Sequence, residues 1–319
     1  MKHMKFLSFF LGITFSIVAC SSNNEIIPVP DVDPDGDDGT TEVEFAKGAD
    51  IGWVTEYESQ GYNFYNAKGE QRECTALMKE LGLNAIRIRV WVDPSKHGNW
   101  CNTADVVEKA KRAKELGMDV MIDFHYSDWW ADPAQQNKPA SWVGKNLANL
   151  KSAIKDHTVS VLQALKAIGV IPKWVQVGNE IRPGMLWDED VALSGASYNV
   201  TEKDLKDAPA SATDKVVYPM NWANLGAFVT TGYDAVKSVF PDAIVIVHLD
   251  NGWDSGLFTW FFDELKKNGG KWDMIGMSLY PYWSRDAKEG YSSADAVITD
   301  CICNIKALST KYNLSLIHI

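Results

Sequence analysis

From Phe45 onward, short runs in which apolar and polar residues alternate give way, again and again, to longer stretches whose apolar positions recur at helical spacing. The pattern predicts strands over 47–53, 84–91, 119–126, 173–179, 243–249 and 273–280, and helices over 71–81, 103–116, 145–168, 221–239, 257–268 and 292–311. Strands and helices wound in series imply a parallel sheet.

The two parities within each strand differ. Ile86, Ile88 and Val90 share one face of the second strand, and Arg87, Arg89 and Trp91 the other. Val120, Ile122 and Phe124 likewise oppose Met121, Asp123 and His125, while Val245, Val247 and Leu249 oppose Ile244, Ile246, His248 and Asp250. On the sixth strand Ile275, Met277 and Leu279 oppose Ser278 and Tyr280. One face suits packing under helices and the other turns polar toward the strand's C-terminal end, which is the layout of an α/β fold of the (β/α)8 TIM-barrel class, with its site at that rim. A doubly wound open sheet would favour apolar residues at both parities, and no Gly-rich phosphate loop follows the first strand. About the first six βα units are legible, and Lys311 to Ile319 fall where a seventh strand begins. The expectation is an incomplete barrel over 45–319, read as a fragment whose last residues are a reading-frame or assembly artefact.

The N-terminal region has a different character. Lys2 and Lys5 precede an apolar run from Phe6 to Ala19, too short for a transmembrane helix and right for a secretory signal over 1–19. Its ending, Ile17-Val18-Ala19-Cys20, resembles a bacterial lipobox, which implies acylation of Cys20 and a lipid anchor at the outer membrane or cell surface. Residues 20–44 read as an acidic disordered linker: between Ser21 and Glu44 there is no Lys or Arg, while Glu25, Asp31, Asp33, Asp35, Asp37, Asp38, Glu42 and Glu44 stand among Pro and Gly. Asp31 to Gly36 lacks the later Glu and the flanking helices of a calcium loop and reads as tether.

The net charge of −11 therefore misleads about the folded part. Removing 1–19 takes away two Lys, giving 29 − 42 = −13, of which the linker holds −8, so the globular region carries only −5. An acidic balance without any basic run excludes nucleic acid as a partner. Cys74, Cys101, Cys301 and Cys303 sit in a chain whose export would permit disulfides, yet spacing alone gives no pairing. Cys301 and Cys303 lack a second Cys/His pair at metal-site spacing and read as packing residues, so no metal site is expected.

The sharpest chemical signal is Trp174-Val175-Gln176-Val177-Gly178-Asn179-Glu180. An Asn-Glu pair ending a fourth barrel strand, with an Arg ending the second and a Tyr ending the sixth, resembles the retaining (β/α)8 glycosidases. There the Glu is general acid/base and the Asn positions the sugar 2-hydroxyl. Longer stretches are similar to one family. Arg89-Val90-Trp91-Val92-Asp93-Pro94, the run from Asp123-Phe124-His125 through Trp129-Trp130 to Pro133, Gly178-Asn179-Glu180-Ile181 with Gly184-Met185-Leu186-Trp187, His248-Leu249-Asp250-Asn251-Gly252, and Ser278-Leu279-Tyr280-Pro281-Tyr282-Trp283 resemble glycoside hydrolase family 53, the arabinogalactan endo-β-1,4-galactanases.

The resemblance implies Glu180 as acid/base, Asn179 as sugar ligand, and Arg89 and Tyr280 pointing at a nucleophilic Glu of the seventh strand. No residue here supplies that Glu. His125 is expected on sugar hydroxyls or in the Arg network, with Asp123 and His248 beside it. Chemistry with retention needs one carboxyl kept protonated for the leaving oxygen and one ionised to attack the anomeric carbon. Trp91, Trp129, Trp130, Trp187 and Trp283 follow strand ends, where indole faces stack on sugar C–H surfaces; part of this set is expected simply to pack the loops. The segment from Ile181 to Pro219 is too long for a connector and is expected to shape one cleft wall.

The expected substrate is β-1,4-galactan or arabinogalactan, cut internally, with no cofactor in this chain and a family calcium loop, if any, in the missing part. Another retaining barrel glycosidase, a mannanase or cellulase, is the near alternative, and a non-catalytic glycan-binding lipoprotein the alternative of another class.

Overall fold

The computed structural model describes residues 45–187, 222–282 and 293–318. The signal, Cys20, the linker, most of the long segment after Ile181, and Trp283 lie outside the described residues.

Strand β1 (Gly48–Asp50) is followed by helix α1 (Val54–Ser59), a small hairpin of β2 (Phe64–Tyr65) and β3 (Gln71–Arg72), and α2 (Cys74–Glu80). Regular winding then sets in: β4 (Ala85–Val90), α3 (Thr103–Glu115), β5 (Asp119–Phe124), α4 (Leu147–Ala167), β6 (Trp174–Val177), α5 (Trp222–Val239), β7 (Ile244–Leu249), α6 (Ser255–Lys267), β8 (Met274–Met277), α7 (Ala294–Tyr312) and β9 (Ser315–His318). The large sheet has the order β1-β4-β5-β6-β7-β8-β9, with every neighbour parallel. This is the wall of a (β/α) barrel.

All six expected strands and all six expected helices are present. The hairpin and α1 were not legible, because two-residue strands and a six-residue helix are shorter than either periodicity can register. A seventh strand begins in the segment where the sequence places its start: Met274↔Ser315 through Met277↔His318 pair β9 in register with β8. Helix starts follow from local chemistry. Asn102, Asn146, Asp254 and Ser293 each accept the backbone N–H three residues on, satisfying a donor that the first turn leaves free.

The parity argument appears as two separate cores. Under the helices lies the large one, with Ile86, Ile88, Val90, Ile122, Phe124, Val175, Val245, Val247 and Ile275 from the sheet. The opposite face holds a small plug of Ala85, Met121, Trp174, Ile246 and Met274, at or near the strand starts. Above this plug the inward positions become Arg87, Asp123, Gln176 and His248, so hydrophobic filling ends where chemistry begins. The neighbour of His248 across β8 is Gly276, where a Cβ would meet Ile246 Cγ2 at 2.9 Å and His248 Cδ2 at 3.2 Å.

The strands end earlier than the alternation suggests. The chain leaves the sheet through left-handed residues, Tyr126 at φ 50°, Gly178 at 83° and Glu180 at 49°, so the rim residues are held by turns. Among the described residues no helix is long and apolar enough to cross a membrane.

Candidate active site

A cavity of about 640 Å³ runs along the inner face of the sheet, from Ala85, Met121 and Trp174 near the strand starts to Asn179, Glu180 and His248 at the C-terminal rim. Across it lies a hydrogen-bonded layer centred on Arg87. The guanidinium bonds Asp50 Oδ2 at 2.7 Å, Asp123 Oδ2 at 2.8 Å, Gln176 Oε1 at 3.1 Å and Asn179 Oδ1 at 2.9 Å. Gln176 Nε2 donates to Asp123 Oδ1 at 2.6 Å and to Asn179 Oδ1 at 3.1 Å. Asp123 is fully buried; burial opposes its ionisation, but Arg87 and then His125 outweigh that and hold its carboxyl down at about 2.

His125 is wholly engaged by protein. Its Nδ1 accepts from Ala131 N at 3.0 Å, which leaves Nε2–H to donate to Asp123 Oδ2 at 2.9 Å. It therefore belongs to the arginine network. Arg89 is in a second stack beside it: the guanidinium lies over Trp130 at 4.1 Å and Trp91 at 5.3 Å, and Nη1 reaches Asp50 Oδ1 at 3.5 Å.

Asn179 and Glu180 are positioned from several sides. Gln136 Nε2 donates to Asn179 O at 2.8 Å and to Glu180 O at 3.3 Å, and Ile181 N donates to His248 O at 3.1 Å. Asn179 Nδ2 donates to Ala131 O at 2.6 Å. Glu180 is the half-buried residue of the pair, and its left-handed backbone is an uncommon conformation for a residue with a Cβ, of the kind that clusters at functional sites. Ser278 Oγ lies 2.6 Å from Glu180 Oε1 and 3.0 Å from His248 Nε2. Burial pushes the Glu180 carboxyl up to about 7 against the lowering hydrogen bond from Ser278, with the negative charges of Asp250 and Asp132 adding and Arg87 opposing. Asp250 forms a bidentate pair with Arg182 at 2.8 Å on both bonds.

Asn179, Asp123, His125 and His248 thus share one network under Glu180, and Tyr280 lines the cavity with its ring 60% exposed. Burial, followed by the Glu180 charge, pushes the Tyr280 hydroxyl up. The tryptophans divide. Trp130 lines the cavity and is 40% exposed, whereas Trp91 and Trp187 are buried, the latter donating to Pro183 O. Trp129 stacks on His97 at 3.8 Å. Stacking platforms are thus a poor description of Trp91 and Trp187, which pack the loops.

Sequence reasoning missed four contributors. Arg87 and Ser278 stand at the inward parity and were legible as such, but were not singled out; Gln176 shares the strand of Asn179. Gln136, in an irregular loop, gives no periodic signal at all. Among the described residues no group of three or more His, Cys, Asp or Glu is placed to hold a metal.

Similarity to known proteins agrees with this geometry. The chain is 38% identical to an uncharacterized protein in the bgaB 5' region of Niallia circulans, over 75% of this chain and 60% of that protein. It is 34% identical to an arabinogalactan endo-β-1,4-galactanase of Thermothelomyces thermophilus, over 76% of this chain and 65% of the relative. The chain thus spans less than two thirds of the length of these relatives. Among solved structures, one from a study of two fungal β-1,4-galactanases superposes with a TM-score of 0.69 at 30% identity, covering 85% of this chain and 72% of the other. The sequence model of glycosyl hydrolase family 53 matches residues 46–314, which take in every element of the barrel wall as far as the end of α7. On that match the chain belongs to glycosyl hydrolase family 53.

Proposed function

We propose that this chain binds β-1,4-galactan along the rim cavity, and that Glu180 is the general acid/base of a retaining endo-hydrolysis of that polymer. The observation that carries the reading is Glu180 itself: a half-buried carboxyl on a left-handed residue, raised to about 7, beside an Asn179 held on every side. Such a carboxyl keeps its proton near neutrality and can give it to a departing sugar oxygen, then take one from water. The choice of galactan is supported by the names of the relatives. Strand β9 carries Ser315-Leu316-Ile317-His318 and no carboxylate, so in this reading the 319-residue chain engages galactan without turning it over. Lipid attachment at Cys20 would place this binding at the cell surface.

The test uses the chain as it is and a chain completed with the last βα units of a relative. The first should be retarded in gels containing pectic galactan and release no oligosaccharide; robust release would refute the missing nucleophile. In the completed chain, Glu180→Ala should slow galactan hydrolysis by 10²-fold or more, by the usual order of general-acid contributions, and lose much less on an activated aryl β-galactoside. Azide should then restore turnover and yield the β-galactosyl azide. An α-azide, or equal losses on both substrates, would remove Glu180 from this role.

A further inference from the structure

Helix α3 carries a lysine where its pattern calls for an apolar residue. Val106, Lys109, Ala110 and Ala113 form its buried face, and Lys109 is wholly shielded from solvent. Its ammonium meets three segments at one point. These are the Gly52 carbonyl at 2.7 Å in the turn after β1, Asp105 Oδ2 at 2.6 Å one turn back on α3, and Cys101 Sγ at 3.8 Å in the loop leading from β4. Asp105 Oδ2 also takes the Cys101 N–H at 2.5 Å, and the Cys101 thiol donates to the same Gly52 oxygen at 3.2 Å. A buried ion pair of this kind adds little to stability, because apolar residues of similar volume often serve as well or better. What it supplies is direction, since each of its bonds has a fixed donor and a fixed acceptor.

Both segments that Lys109 holds belong to the rim. The Cys101 carbonyl accepts from Trp91 N at 2.9 Å, so the hub sets the chain where β4 ends. Gly52 N donates to Asp50 Oδ1 at 2.9 Å, and Asp50 is the carboxylate bound to Arg87. Gly52 also lies against the guanidinium of Arg89, so closely that a Cβ would stand 2.9 Å from Nη1 and 3.0 Å from Cζ. Arg89 has little else to hold it. It is 4% exposed, its Nε is buried without a hydrogen-bond partner among the described residues, and its contact with Asp50 is long, at 3.5 Å. A guanidinium held by packing takes its position from the surfaces it lies on. For Arg89 these are the Gly52 backbone and the Trp130 ring at 4.1 Å.

We propose that Lys109 is a positioning residue: from α3 it fixes the backbone of Gly52, and through it seats Arg89 against Trp130 in the rim cavity where the sugar chain is bound. This rests on the reading of that cavity as a galactan site and adds the device that sets one of its walls. Lys109 itself touches no substrate. Residue 52 is a glycine, with no side chain to restrict its own backbone, so an outside anchor decides how it lies. The Cys101 thiol is a weak donor and cannot replace an ammonium in that task. Without the cation the Gly52 carbonyl turns, the surface under Arg89 shifts, and the guanidinium leaves the Trp130 ring.

Lys109→Met alone would leave Asp105 as a buried, unmatched charge, so the test removes both charges together. The double variant Asp105→Asn/Lys109→Met keeps an oxygen for the Cys101 N–H and has no ion pair to desolvate; it should melt cooperatively, close to the parent. The full chain is labelled with ¹⁵N arginine, Arg89 being assigned through Arg89→Lys. In the parent the Arg89 Nε–H resonance should lie upfield of free arginine, shifted by the Trp130 ring, and in the double variant it should move toward the free position. Retardation in gels containing pectic galactan should weaken about tenfold, the worth of one aromatic stack. Asp105→Asn alone leaves Lys109 on the Gly52 carbonyl and should keep the parent resonance and the parent retardation. An unmoved Arg89 resonance or unchanged retardation in the double variant, or equal losses in Asp105→Asn alone, would overturn the proposal. So would a double variant that does not fold, because the pair would then serve the fold itself. The NMR readout needs no sugar: if galactan gels fail to retard the parent while Arg89 shifts as expected, the substrate reading falls and the positioning role stands. Normal parent retardation with an unmoved Arg89 removes the positioning role alone.

Discussion

Arg87 on β4 reaches over β5 to Asn179 beyond the end of β6, its Nη2 lying 2.9 Å from the amide oxygen. The same nitrogen bonds Asp123, so one guanidinium ties the chemistry of the rim to the fully buried anion of the barrel interior. Arg87→Met should leave Asp123 with its principal counter-charge removed. Breaking a buried pair on one side costs about 3–5 kcal/mol, and urea denaturation should show a loss of that order. Arg87→Lys, a point charge without the planar fork, should recover only part of it.

Glu180→Gln should stabilise the protein, and only at high pH. The folded carboxyl titrates at about 7 against an ordinary 4.5, so the folded state binds the proton more tightly. That contribution is fully present below pH 4.5 and is lost as pH rises through 7, leaving an ionised group in a poorly solvated site. The variant should gain about 2–3 kcal/mol over the parent at pH 8 and almost nothing at pH 4. Denaturation curves of both proteins at the two pH values check this.

His157 should act in the opposite sense. Burial among Phe124, Tyr126 and Trp142 lowers its ring from 6.5 to about 4. The unfolded chain takes up that proton first, so stability present above pH 6.5 drains away as pH falls toward 4, by about 3 kcal/mol. His157→Leu should flatten the melting temperature over this window while leaving the Glu180 effect intact; a parallel pH profile in the variant would dismiss the assignment.

The tryptophans should separate under alanine substitution. Trp91→Ala and Trp187→Ala empty buried volume and should each cost about 3–5 kcal/mol of stability. Trp130→Ala removes a ring that is 40% exposed in the cavity; it should weaken retardation in galactan gels about tenfold, the worth of one aromatic stack, with a much smaller change in melting temperature.

Cys20→Ala tests the anchor. The parent should partition with membranes and incorporate labelled palmitate, and the variant should do neither. Equal labelling of the two would refute lipidation.

Most of the wall was legible because a strand with one face under helices and the other toward a polar interior must alternate. Ile86/Arg87/Ile88/Arg89 displays this without any knowledge of the partner strands. Glu180 and Asn179 were legible for a related reason: a polar pair at the end of an apolar strand has to face the rim. What escaped was the sharing of partners. Nothing in the local sequence says that Arg87, two residues before Arg89 and on the same face, is the one that reaches Asn179, because that depends on the stagger of three strands. Gln136 escaped because its work is done on backbone carbonyls, from a loop without period. Which members of the tryptophan set pack the loops, as Trp91 and Trp187 do, was not legible, because a strand-end position fixes where a side chain starts and leaves open whether a neighbouring loop will cover it.

The bare position at Gly276 has a consequence for heredity. Any side chain there would press on Ile246 and on the imidazole of His248. The placing of His248, which accepts from the backbone of Glu180, is thereby made to depend on a residue that offers no functional group, on a different strand, with nothing to mark it chemically. A lineage could keep every ionisable residue of the rim and still disturb their packing through one added methyl. Conversely, an inactive homologue with all its carboxylates intact should be inspected at this position before its cleft, since a pseudoenzyme can begin where there is no side chain to lose.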